Sequence, residues 1–113
     1  FDLYVVNLDG SDPRRLARDV VVDDHLGPVW TPDGSTLIYA KKDFKQDNPV
    51  MWVRRDESAK GQLDTGTQLN SDLTLFDANG TLKLAFKALG QQGSTEKTWE
   101  RVYVVSFTMD DLK

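Results

Sequence analysis

Apolar residues along the chain gather in short bursts separated by polar and turn-forming residues, a pattern that predicts strands. Residues 2–8 put Leu3 and Val5 on one face and Tyr4, Val6 and Leu8 on the other. With both faces apolar, that strand is expected inside a sheet. Residues 14–18 read as a short outer strand rather than one helical turn, and the β-branched run 20–22 that follows at once supports the strand. Val29 and Trp30, then residues 36–39, are β-branched and aromatic as a pleated, half-buried surface favours. Residues 50–53 form the next strand, and 62–69 are weakly strand-like and near an edge. In the next hairpin Leu82, Leu84 and Phe86 alternate cleanly with Lys83 and Ala85. Residues 101–107 make the last strand.

Turn chemistry joins these bursts. Between 30 and 36, Pro32 presets its backbone angle, Asp33 bonds back to following amides, and Gly34 takes positive φ without steric cost. Asn79-Gly80 is the strong two-residue hairpin signal. Residues 9–13 are a cluster of turn formers, and 54–61 a charged turn.

The two hairpins repeat. Trp30 to Gly34 with Leu37 and Tyr39 is answered about 45 residues on by Phe76 to Gly80 with Leu82 and Leu84. The lone strands at 3–6, 50–53 and 102–105 recur at a similar interval. A period in the forties made only of short strands is the size of one four-stranded propeller blade.

The stretch 3–11 followed by Arg14-Arg15-Leu16, then Pro28-Val29-Trp30-Thr31-Pro32-Asp33-Gly34 and Leu37-Ile38-Tyr39, resembles the WD-like repeat of the TolB-type β-propellers. Likeness is good over about the first 55 residues and degenerate afterwards, where Ala78-Asn79-Gly80 replaces Pro-Asp-Gly and no proline precedes Phe76. The resemblance implies an all-β fold of antiparallel four-stranded blade-like sheets. Strands C and D of one blade come first, then A to D of a second, then A to C of a third. The alternative is a small open β-sheet or sandwich. The whole chain, 1–113, is expected to be one all-β unit, with repeat-like segments at about 1–49 and 50–101 and a further strand at 101–107. About two and a quarter blades cannot close a ring, because propellers need at least four. Exposed sheet edges and one uncovered face follow, to be met by self-association or by further blades outside the chain.

Composition narrows the partners. The 113 residues include 14 basic and 18 acidic ones, for a net charge of -4. That balance disfavours a nucleic-acid surface, which needs clustered Lys and Arg. No apolar run approaches the roughly 20 residues of a spanning helix, so no membrane span is expected. With no cysteine, disulfide scaffolds, thiolate zinc sites and cysteine nucleophiles are excluded.

Candidate chemistry is sparse. His25 beside Asp23 and Asp24 suggests a metal or an Asp–His pair, but it is the only histidine and no serine motif accompanies it. Asp43, Asp47 and Asn48 lack the alternation and glycine of a calcium loop. Asp110 and Asp111 lie near the end of the chain, away from any acid–base motif. Trp30 and Trp52 are expected to fill the space between sheets. No catalytic residue, metal ligand or cofactor is assigned. The partner-binding candidates are Phe44 and Asp47 in the loop 41–49, Trp99 beside the loop 91–97, and Arg54 and Arg55. Arg14, Arg15 and Arg18 are expected as solvated outer-strand residues. Similarity to TolB implies a non-enzymatic scaffold that binds another protein in the cell envelope, in the periplasm or outside the cell. The alternative is the propeller portion of a peptidase or sugar-acid lyase whose catalytic residues lie outside this chain.

Overall fold

The computed structural model describes residues 1–22, 27–43, 48–89 and 101–113. It contains nine strands, a single 3₁₀ turn at Met109–Asp111, and no α-helix among the described residues. The strands form three antiparallel sheets in chain order. The first pairs β1 (Leu3–Val5) with β2 (Arg14–Ala17). The second is the meander β3 (Val29–Trp30), β4 (Thr36–Ala40), β5 (Val50–Arg54) and β6 (Lys60–Leu63). The third is β7 (Ser71–Ala78), β8 (Thr81–Ala88) and β9 (Arg101–Phe107). This grouping of two, four and three strands is the one expected from the sequence. The hydrogen-bonded units run out of phase with the sequence units, since the boundary at 49/50 falls inside the second sheet between β4 and β5.

The middle sheet is covered on both faces, which is why all of β4 is buried. Leu37, Tyr39 and Val53 pack with Ala17 and Val20 toward the first sheet. Ile38, Val50 and Trp52 pack on the other side with Leu82, Leu84, Phe86 and Phe107 of the third. Leu112, also fully buried, closes that core from the far end of the chain, and its carbonyl accepts a 2.8 Å bond from the Arg54 guanidinium.

The same face of successive sheets points the same way along the stack. In β3–β4 the Thr31 amide donates to the Thr36 carbonyl at 2.9 Å, which makes Thr31/Thr36 and, two residues away, Val29/Ile38 hydrogen-bonded pairs. In β7–β8 both turn residues have positive φ, Asn79 at 56° and Gly80 at 91°. That two-residue turn makes Ala78/Thr81 and therefore Phe76/Lys83 the hydrogen-bonded pairs. Chirality puts the side chains of such pairs on the same face in both hairpins. Ile38 on that face lies against the third sheet, whereas Phe76 and Lys83 on that face point away from the second. Conversely, Leu37 and Tyr39 face the preceding sheet, and so do Leu82 and Leu84. The sheets therefore stack head to tail, and Leu37 and Tyr39 occupy positions equivalent to Leu82 and Leu84, whereas Trp30, beside Leu37, and Phe76, beside Lys83, lie on opposite faces. The two turns themselves differ: Pro32, with no amide hydrogen to donate, ends pairing earlier in the first hairpin.

One turn design occurs three times. At 7–11, 31–36 and 54–59 an aspartate carboxylate accepts the amide of a serine two residues on: Asp9 from Ser11 at 2.9 Å, Asp33 from Ser35 at 3.0 Å, and Asp56 from Ser58 at 2.9 Å. The residue between them is left-handed in each case, with φ of 87° at Gly10, 72° at Gly34 and 64° at Glu57. Glu57 carries a strain of roughly 1–2 kcal/mol that the glycines avoid.

These bonds hold the three carboxyls below the usual carboxylate value. Ser11 and Ser58 act chiefly through their hydroxyls on Asp9 and Asp56, and Ser35 chiefly through its amide on Asp33. A carboxyl whose pKa is lowered by folding adds stability above its unfolded value, about 3.9, and that stability is lost as pH falls through the folded value. Urea midpoints are therefore expected to drop below about pH 4, and the triple variant Asp9→Asn/Asp33→Asn/Asp56→Asn to drop less steeply than the wild type. Parallel acid limbs in the two proteins would show that the turns contribute nothing to the pH dependence.

Three expectations need correction. The strand at 2–8 is only three residues long and lies in a two-stranded sheet, so Tyr4 and Val6 are about half exposed. Residues 20–22 form no strand; Val20 makes an isolated bridge to Lys41. Trp52 is buried in the core shared with the third sheet, but Trp30, on the opposite face beside Leu37, is 43% exposed.

Candidate functional site

Where the first sheet crosses the second, the facing side chains leave a cleft of about 530 Å³. One wall is β2 and its end, Arg15 to Arg18. The other is the face of the middle sheet carrying Tyr39, Met51, Lys60 and Gln62, with Gly61 between the last two. Register puts these on one face, since Tyr39 pairs with Met51 and Met51 with Gln62. Lys41 closes the end beyond β4. The floor is apolar: Ala17 and Tyr39 are buried, and Leu16 and Met51 are partly buried in the same cluster. Burial pushes the Tyr39 phenol above its usual value, so it remains a neutral hydroxyl.

Arg15, Arg18, Lys41 and Lys60 supply four cations, and among the described residues no carboxylate lines the cleft. Arg15 lies 3.7 Å from Asp2 across the β1–β2 pair. In a chain of net charge -4 this is a local reversal of sign. Low-dielectric walls around such a cluster concentrate its field on whatever enters.

The candidates named from the sequence are scattered. Phe44, Asp47 and Trp99 lie outside the described residues, as do His25, Asp23 and Asp24. Arg54 is partly buried and spends a guanidinium N–H on the Leu112 carbonyl, tying β5 to the terminal turn. Arg55 is exposed, and its carbonyl accepts a 3.2 Å bond from Arg14. Arg14 also pairs with Glu57 at 3.5 Å, so Arg55 and Glu57 bind the β5–β6 turn to β2. Among the described residues no three His, Asp or Glu side chains come together as a metal site would require. None of their helices is long and apolar enough to cross a membrane.

Tyr39, Met51, Lys60 and Gln62 were not singled out from the sequence. The available signal was the alternation Lys60-Gly61-Gln62 on an edge strand, which places two polar side chains on one face. Nothing local indicated that Arg15 and Arg18 would lie across from them. No family model, no curated protein and no solved structure matches this chain.

Proposed function

We propose that this chain is a non-enzymatic protein-binding module of TolB-like propeller type, acting in the cell envelope. The observation that carries the reading is the head-to-tail stacking of the sheets. A stack in which each sheet offers the next an equivalent face continues until a ring closes, and it presents that face to another sheet wherever it stops. Among the described residues the last such face is the outer face of the third sheet, where Phe76, Val102 and Val104 are 47%, 76% and 56% exposed. The lysines on this face are held within the sheet: Lys83 donates to Ser106 at 2.8 Å, and Lys87 pairs with Asp72 at 3.2 Å. The face therefore presents exposed Phe76, Val102 and Val104 among polar groups already paired with one another. Its occupant is another antiparallel sheet of the same meander, supplied by further blades or by a second copy.

Light scattering across a concentration series tests this. The mass is expected to rise above the 12.8 kDa of one chain. The Val102→Lys/Val104→Lys variant is expected to stay monomeric with an unchanged circular dichroism spectrum. A wild-type monomer at every concentration would remove the support that the stack gives to the binding role.

A further inference from the structure

We infer that the cleft between the first and second sheets is a binding site for a small organic anion, a phosphate or carboxylate carried on an apolar body. This assignment is independent of the exposed face on the third sheet. Four cations lie around one cavity, from β2 and its end, the end of β4, and β6. Like charges gathered this way repel one another and gain when an anion enters. Arg15 has a carboxylate neighbour in Asp2, but among the described residues no salt bridge engages Arg18, Lys41 or Lys60.

The floor sets the rest of the ligand. Leu16, Ala17, Tyr39 and Met51 offer apolar surface that a hydrated inorganic ion does not use, while the Tyr39 hydroxyl and the Gln62 amide are neutral groups able to hydrogen-bond. A volume of about 530 Å³ falls within the range of small-molecule sites. An apolar base with a few convergent polar groups at its rim is the usual form of such sites. Two of the strands that line the cleft, β2 and β6, are each the last strand of their sheet.

Amide chemical shifts of the full chain, titrated with phenyl phosphate, benzoate, inorganic phosphate and benzyl alcohol, test the assignment. Phenyl phosphate or benzoate is expected to shift residues 16–18 and 60–62 saturably, and the stronger of the two identifies the head group. Inorganic phosphate, lacking the apolar body, and benzyl alcohol, lacking the charge, are each expected to bind about tenfold more weakly. The Arg18→Glu/Lys60→Glu variant is expected to lose affinity by about tenfold or more. Arg18→Gln/Lys60→Gln should fall between it and the wild type, and Arg101→Glu on the third sheet should bind normally. Circular dichroism checks that each variant is folded. Shifts spread over the basic residues of the whole surface, or affinity unchanged in the folded charge-reversed variant, would overturn the site.

Discussion

A Trp52→Ala chain is expected to lose about 3–5 kcal/mol of stability, a large share of what a domain of this size has. Trp52 is 3% exposed and stands in the core that joins the second and third sheets. Its indole lies over Gly61, its partner across β5–β6. A Cβ on Gly61 would sit 2.9 Å from ring atoms Cε2, Cζ2 and Nε1, closer than packed atoms tolerate. The buried ring or the strand would have to shift to admit it, so Gly61→Ala is expected to destabilise by about 1–3 kcal/mol. Both effects come from one contact, so they are not additive: with Trp52 already alanine, Gly61→Ala should be nearly neutral. Urea midpoints of the four proteins in this cycle read the coupling. If the two losses simply add, the contact is not what requires glycine there.

Asn70 is expected to give the second large effect. It is fully buried in the link between the second and third sheets. Its amide nitrogen donates to the Asn48 carbonyl at 2.8 Å, and its side-chain oxygen accepts the Thr67 hydroxyl at 2.6 Å. Asn70→Ala leaves those partners unsatisfied and is expected to lose about 1–3 kcal/mol. Asn70→Asp keeps the shape but sets a buried carboxylate against the Asn48 carbonyl, so it should be the worse variant at pH 7. Burial raises that carboxyl's folded pKa above its unfolded value, so the penalty applies at high pH and fades as pH falls and the protonated acid becomes a donor. Urea midpoints at pH 7 and pH 4 distinguish the two variants. Asp and Ala variants equally unstable at both pH values would rule out the donor role of the side-chain amide.

The comparison of Trp30 with Trp52 shows how far reading the chain alone reaches. Both sit in strands of one sheet, and both were expected in the core. One is 43% exposed and the other 3%: Trp52 lies on the face that packs against the third sheet, and Trp30 on the opposite face beside Leu37. Strand β1 makes the same point. Its two apolar faces suggested an interior position, yet among the described residues its one strand partner is β2, and burial depends on neighbours that the strand's own residues do not encode.

By itself the sequence located most of the strands and the turns between them, while the grouping into sheets of two, four and three was what the resemblance implied. Side-chain alternation, Asp-x-Ser turns and Asn-Gly act over a few residues, so they are readable one after another along the chain. Tertiary structure alone decided which apolar faces are covered, that Gly61 must yield to Trp52, and that Arg15 and Arg18 stand opposite Lys60 more than forty residues away. Those outcomes depend on the positions of whole sheets, set by the summed burial of many side chains, and no local pattern carries that sum.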